Sequence, residues 1–345
     1  MRVNPEKMKQ ALIEIAMKVG CNATEAADLA ENIVLSEMRG MSSHGVMRMP
    51  SYMERIEMGL YATNVTPEII QDGGTLLLLD GKNGLGAPLA KAAMRLCVER
   101  AKETGVAFVG VCHGNHFGMT ADYVKYAAEQ GCIAVCCANA NAWVAPIGGN
   151  KKKLGTNPLA LGLPGTKDLF LLDMATSEAA QGKVVIAEKK GMTVPPTWGV
   201  DANGAPTTDP SAILHGGALL PFGGPKGYGI SLMIEILCSA LAGGVRSTSM
   251  GSMFDRDKII GTGFFMGAID IARITDLEEF KANVQSIFED MRDAGTPEKP
   301  VFLPGEIEQN KAKKAAAEGF EVAEAIYQDL EKLATRLGVT LDVAM

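Results

Sequence analysis

The segment Ser42-Ser43-His44-Gly45-Val46-Met47-Arg48 puts hydroxyl, imidazole and guanidinium groups within a few residues of each other, in a chain that holds only four histidines. Histidine is the side chain whose ordinary pKa lies nearest neutrality, so it can give or take a proton there. Arginine presents a planar fork of donors that matches a carboxylate. Serine can add a further hydrogen bond to the same anion. A small carboxylic acid with a reactive oxygen beside its carboxylate would use all three.

A second imidazole, His116, lies in Gly114-Asn115-His116-Phe117-Gly118-Met119, after an apolar run and before a helical pattern. That places it at the C-terminal end of a strand, where α/β folds present side chains to ligands. Capping or packing is the plainer role for a lone histidine at such a turn. His113 reads as structural and His215 as solvent-exposed.

Other segments carry weaker signals. Gly223-Gly224-Pro225-Lys226-Gly227-Tyr228-Gly229 leads into an apolar helix, and its free N–H groups and Lys226 would favour an anion. A structural turn explains it equally well, because no Walker frame can be drawn. Gly81-Lys82-Asn83-Gly84-Leu85-Gly86 lacks the spacing of a dinucleotide fingerprint. Leu172-Asp173-Met174-Ala175-Thr176-Ser177 ends a strand with groups able to meet a ribose or pyrophosphate, or simply to cap the next helix. Gly155-Thr156-Asn157-Pro158 sits nearby.

These groups need a scaffold, and the hydrophobic periodicity outlines one. The first seventy residues read as helices, with Asn4-Pro5 opening one and Asn22 with Glu25 forming a capping box for the next. The Ser-His-Gly-x-x-Arg segment falls on the link between helices. Strands and helices alternate from about residue 75: Leu76 to Asp80, Val106 to Cys112, Ile133 to Ala138, Leu159 to Leu163, Phe170 to Met174 and Gly261 to Ile269 read as strands. Helices are expected from Ala87 to Glu103, Met119 to Glu129 and Ser177 to Lys189. Tyr228 to Leu241 reads as an apolar helix central to the core, and Glu306 to Leu337 as a long polar-faced helix. Residues 191–224 form a Pro/Gly-rich excursion, either a loop over the site or a surface hairpin around Asp201-Ala202-Asn203-Gly204. The division expected is a helical unit over 1–74, a central unit over 75–290, and helices over 291–345 that return to the first.

Composition narrows the class. At 345 residues, 47% hydrophobic and 21% charged, the chain has the make-up of a globular protein with a well-buried core. A net charge of −7 provides no basic footprint for nucleic acid or an anionic membrane surface. Met1 to Glu6 precedes no apolar h-region, and no run of eighteen apolar residues follows, so neither signal peptide nor membrane span is expected. The seven cysteines are odd in number and contain no Cys-x-x-Cys, which reads as buried, reduced thiols in the cytoplasm. No Cys/His pairs have finger or ribbon spacing, so no metal is expected.

Taken together, Ser43-His44-Gly45-x-x-Arg48, Asn115-His116-Phe117-Gly118, Pro146-x-Gly148-Gly149, Gly155-Thr156-Asn157-Pro158, Asp173-Met174-Ala175-Thr176-Ser177, Lys226-Gly227 and Leu303-Pro304-Gly305-Glu306 resemble the malate/L-lactate dehydrogenase family. These are non-Rossmann NAD(P)-dependent 2-oxoacid reductases, among them ureidoglycolate, sulfolactate, diketogulonate and Δ1-piperideine-2-carboxylate enzymes. The resemblance spans nearly the whole chain. It implies an α/β (α+β) fold, with a central mixed β-sheet domain, a helical domain built from both termini, and a homodimer. It also implies hydride transfer between a nicotinamide and C2 of a 2-oxo or 2-hydroxy acid, with His116 or His44 carrying the proton. Ser43, Arg48 and Asn141 then bind substrate. Phe117, Gly118, Asn139, Ala140, Thr156, Asn157, Leu172, Asp173, Met174, Ala175, Thr176, Ser177, Pro225, Lys226, Pro304, Gly305 and Glu306 match cofactor-contacting positions. Malate or lactate is the first substrate expectation, with ureidoglycolate or a cyclic imino acid as the alternative. NAD is favoured over NADP, although Lys151-Lys152-Lys153 is a basic run that a 2′-phosphate could use. Gln181 and Ala140-Asn141-Ala142-Trp143 depart from many relatives at positions bearing on cofactor and substrate choice. A binding protein that kept the fold without turnover is disfavoured by the intact His44, Arg48 and His116.

Overall fold

A seven-stranded sheet forms the centre of the computed structural model, which describes residues 1–345. Its order across the sheet is Glu68–Asp72, Leu76–Asp80, Val106–Gly114, Thr262–Asp270, Cys132–Ala138, Leu159–Leu163 and Phe170–Met174. Only Leu76–Asp80 and Val106–Gly114 run parallel; every other neighbouring pair is antiparallel, so the sheet is mixed. The Thr262–Asp270 strand sits in the middle and is buried along nearly its whole length, which explains its unbroken apolar run. Alternate residues serve opposite faces. Val109, Val111, Ala134, Cys136, Phe264 and Met266 join the helices Gly86–Thr104 and Ala121–Glu129 in one core. Phe108, Cys137 and Phe265 face the other way, against Ile234 and Cys238.

The second large core belongs to the helices. Met8, Leu12 and Ile15 of Pro5–Lys18 pack with Leu29 and Ile33 of Ala23–Met38 and with Leu330 and Leu333 of Glu324–Leu337. Asn4 caps the first of these helices, and Asn22 and Glu25 form the capping box on the second. The chain ends meet here: Arg2–Val3 pairs antiparallel with Phe320–Glu321. A smaller cluster around Val144, Leu154, Val184, Ile213 and Leu219 holds the excursion after the central strands. Within it Asp201 closes a hairpin turn, accepting from the Asn203 and Ala205 N–H groups.

Four expectations change. The Tyr228 to Leu241 segment is α-helical only over Pro225–Glu235 and continues as a π-helix over Ile236–Leu241. It is not central to the core. Ile234 and Cys238 are buried, but Met233, Ile236 and Leu241 are exposed, because one face of the apolar helix has no partner within the chain. The helix expected from Ser177 begins at Gln181, since the Thr176 and Ser177 hydroxyls donate to backbone carbonyls instead of capping N–H groups. The long C-terminal helix breaks at Gly319, whose φ of +73° turns the chain back to pair with Arg2–Val3. Glu68–Asp72 is an additional edge strand; all five residues are exposed, so no apolar alternation announced it.

The helical core is fastened to the sheet domain by buried polar contacts. Arg95 makes a two-pronged bond to Asp28, at 2.7 and 3.0 Å, and Lys91 reaches Glu31 and Asp122. Asn32, 1% exposed, accepts from the Met119 N–H and donates to the Met119 carbonyl and to Asp122. Gly118 must be glycine here: its φ is +74°, and a Cβ would stand 2.0 Å from Asn32 Oδ1. The Asn32→Ala variant should lose about 2–4 kcal/mol, because it strands a buried N–H and opens a void. Thermal and denaturant unfolding would measure this, and an unchanged midpoint would contradict the fastening role.

Candidate active site

Two successive 3₁₀ turns, Ser42–His44 and Val46–Arg48, carry the first cluster of polar side chains. They are folded around one buried carboxylate. Glu37 accepts from the Val46 N–H at 2.9 Å and from the Ser42 hydroxyl at 2.7 Å. Gly45 joins the turns because a Cβ there would lie 2.1 Å from the Glu37 side chain. Arg48 then begins the helix Met49–Glu57. Its Nε donates to the Ser43 carbonyl at 2.7 Å and its Nη1 approaches the Met253 sulfur at 3.8 Å. Neither contact is a carboxylate, so the guanidinium charge stays available to an anion.

The structure brings both candidate histidines to this cation. The His44 and His116 rings stack with centroids 5.5 Å apart and planes 16° apart. The Ser43 hydroxyl is 2.9 Å from His44 Nδ1. The Tyr52 hydroxyl is 2.7 Å from His116 Nδ1. Withdrawal from water, reinforced by the Arg48 charge, takes His44 from its ordinary 6.5 to about 4. The same causes, with His44 added, push His116 well below its usual range. Burial moves Tyr52 upward, so it remains a phenol. A phenol can bond either tautomer of Nδ1; Tyr52 therefore fixes the ring plane of His116 without fixing its proton. Two neutral imidazoles beside an unpaired guanidinium form a site that favours an anion, and a bound carboxylate would raise the proton affinity of both rings.

The segments matched to cofactor contacts form one hydrogen-bonded framework. The Asn139 side chain holds the Val245 carbonyl and the Gly263 N–H, and Asn157 Oδ1 accepts from the Ala140 N–H. Thr176 donates to the Thr156 and Asn157 carbonyls, Ser177 to the Ala179 carbonyl, and Asp173 accepts from the Ala121 N–H. Burial lifts Asp173 to about 6. The Pro304-Gly305-Glu306 turn seats beside the Phe170–Met174 strand at the other edge of the sheet, with the Pro304 carbonyl accepting from the Leu171 N–H. Glu306 pairs with Arg292.

Many of these side chains are thus tied to backbone, and Phe117 lies in the core against Phe264. They shape the framework and leave main-chain groups and the half-buried Leu172, Met174 and Ala175 to face a ligand. Asn141 is half-buried and enters no side-chain hydrogen bond. Gly223 and Gly224 have φ of +54° and +63°, and nothing lies within 4 Å of where their Cβ atoms would be. The Gly223 N–H donates to the Glu178 carboxylate at 3.2 Å and the Gly224 N–H to the Pro221 carbonyl, so the exposed Lys226, at an uncapped helix start, is the group this loop leaves for an anion. Lys152 is otherwise engaged: its Nζ lies 4.0 Å from the Trp143 ring centroid and donates to the Leu214 carbonyl. Gln181 is half-buried at the first position of its helix.

Sequence reasoning passed over three residues. Tyr52 stands four positions after Arg48, on the same helix face, and that spacing was the available signal. Glu235 is the one acid of an apolar helix; it accepts from the Ser247 N–H at 2.8 Å and from Asn157. Met253 comes from a polar loop with no pattern to mark it.

Comparison with known proteins identifies the family. Residues 3–331 match the family model described as malate/L-lactate dehydrogenase. The L-sulfolactate dehydrogenase of Methanothermobacter thermautotrophicus is 37% identical over 346 residues, covering 99% of each chain. The malate/(S)-sulfolactate dehydrogenase of Methanothermus fervidus is 35% identical over 341 residues, also covering 99% of each. The solved sulfolactate dehydrogenase of Methanocaldococcus jannaschii superposes with a TM-score of 0.93 at 34% identity, covering 99% of both chains. With the motif order, the mixed sheet and the paired histidines in place, the chain belongs to the malate/L-lactate dehydrogenase family of oxidoreductases.

Proposed function

We propose that this chain is an NAD-dependent dehydrogenase that interconverts a small 2-hydroxy acid and its 2-oxo acid. The observation that carries the reading is the Arg48 guanidinium, without a carboxylate partner, beside two stacked neutral imidazoles. Arg48 grips the C1 carboxylate, with Ser43 adding a hydroxyl. That contact sets C2 and its oxygen against the His44–His116 pair. His116, held by Tyr52, exchanges the proton with the C2 oxygen, and His44 orients the acid. A nicotinamide, when bound, would supply the hydride chemistry at C2. Lys226 would meet its phosphates, the Leu172–Ser177 and Pro304–Glu306 segments would flank it, and Asn139, Ala140, Thr156 and Asn157 would support it from below.

Malate-type acids are the favoured substrates, since the similar enzymes quoted above are named for malate and sulfolactate, both 2-hydroxy acids with a second acid group. Engagement of Lys152 with Trp143 and Leu214 supports NAD over its 2′-phosphorylated form. Seven unpaired, buried cysteines support a reducing cytoplasm. No helix is long and apolar enough to cross a membrane.

Oxidation of NADH and NADPH with oxaloacetate, sulfopyruvate, pyruvate, oxalurate (the 2-oxo form of ureidoglycolate) and a cyclic imino acid tests the assignment. Turnover with the diacids at low KM is expected. Activity confined to the ureido or imino compound would replace the reading. Arg48→Ala should raise the KM for the acid far more than for the cofactor, at a cost of about 2–4 kcal/mol in kcat/KM. A normal kcat/KM in that variant would sink the clamp.

The working unit is a homodimer in this reading. Ile230, Met233, Ile236 and Leu241 are exposed along one helical stretch, an apolar strip that a second copy of the chain would cover. Sedimentation should give twice the chain mass, and Met233→Glu with Ile236→Glu should yield monomers. A monomeric wild type would rule the assembly out.

A further inference from the structure

Asp80, Cys112 and His113 converge at the C-terminal end of the two parallel strands, outside the site described above. Their convergence has a backbone cause. Asp80 and Cys112 are register partners across the parallel pair, so their side chains stand side by side. Cys112 and His113 are consecutive residues of one strand, and regular pleating would send their side chains to opposite faces. His113 instead has a φ of +51°, and its ring returns to the side of the Cys112 thiol. The outcome is one carboxylate oxygen, one thiol sulfur and one imidazole nitrogen all within 4.8 Å of one another.

We propose that these three residues bind a borderline-soft divalent cation, with zinc the best match. Thiolate, imidazole and carboxylate together form a donor set suited to zinc and poorly suited to magnesium or calcium. The spacing agrees. A tetrahedral ion with Zn–S near 2.3 Å and Zn–N near 2.05 Å separates the two donors by about 3.5 Å. Cys112 Sγ and His113 Nδ1 are 3.5 Å apart. His113 Nδ1 and Asp80 Oδ1 are 2.9 Å apart, a hydrogen bond that would open to about 3.4 Å around the ion. Cys112 is buried beneath, while the His113 and Asp80 side chains are 58% and 28% exposed, so the ion has an approach and a fourth position open to water. Binding forms metal–sulfur, metal–nitrogen and metal–oxygen bonds. The thiol proton leaves to solvent, and the proton that bridges Nδ1 to Asp80 is replaced by one on Nε2 of the neutral ring. No redox change is involved. Finger and ribbon spacing could not reveal this site, because one ligand comes from a neighbouring strand.

The test uses the full-length protein freed of metal with a chelator and titrated with cobalt(II), a spectroscopic stand-in for zinc. One equivalent should produce a near-ultraviolet thiolate-to-cobalt band and the visible bands of a four-coordinate ion, and zinc should displace both. Cys112→Ser should abolish the thiolate band. His113→Asn, which tolerates the left-handed backbone, should weaken binding at least tenfold. The His44–His116 pair has no thiol, so cobalt held there would lack that band. Absence of the band in the wild type, or its survival in Cys112→Ser, would overturn the site.

Discussion

An arginine whose positive charge is oriented but not neutralised is the constraint around which this structure is arranged. Arg48 is held through a backbone carbonyl and a thioether. A carboxylate in either place would satisfy the guanidinium and remove its attraction for an anion. The charge also acts on its neighbours. Burial first, and then this charge, keeps both His44 and His116 neutral until something negative arrives. An acid that docks on Arg48 offsets that charge and makes a protonated imidazole less costly. In the function proposed above, substrate binding and proton transfer are coupled through one side chain.

Holding such an arginine takes support from several directions. Glu37 folds the two 3₁₀ turns by taking an N–H and a hydroxyl, and the absence of a side chain on Gly45 leaves room for it. Tyr52, one turn beyond Arg48, steadies His116 through its hydroxyl at Nδ1. Asn32 then ties the helix that carries Glu37 to the loop that follows His116. The helical core and the sheet each contribute one imidazole, and the same polar fastening that joins the two units brings those rings into register.

Much of this could be read from the residues alone. The caps at Asn4 and Asn22, the buried strands and both histidine motifs were visible, because local chemistry marks them. What was hidden depended on distant partners. The apolar run from Tyr228 looked like core because hydropathy does not tell a buried face from an exposed one. Glu68–Asp72 escaped notice since an exposed edge strand has no alternation. Thr176 and Ser177 looked like caps, yet their hydroxyls answer carbonyls brought alongside by neighbouring segments, and a sequence does not display those. The commitment of Asn139 and Asn157 to backbone has the same origin: their residue types fit a ligand site, and only the tertiary partners reveal a framework role.

The claim most worth testing is that burial, reinforced by Arg48, holds the histidine pair neutral until an acid binds. Nuclear magnetic resonance of labelled histidine rings across pH, with and without reduced cofactor and an unreactive 2-oxo acid analogue, reads this directly. The free protein should show His44 titrating at about 4 and His116 well below its ordinary range, with proton uptake by one ring when the analogue binds. Rings that titrate near 6.5 in the free protein, with no change on binding, would contradict the account.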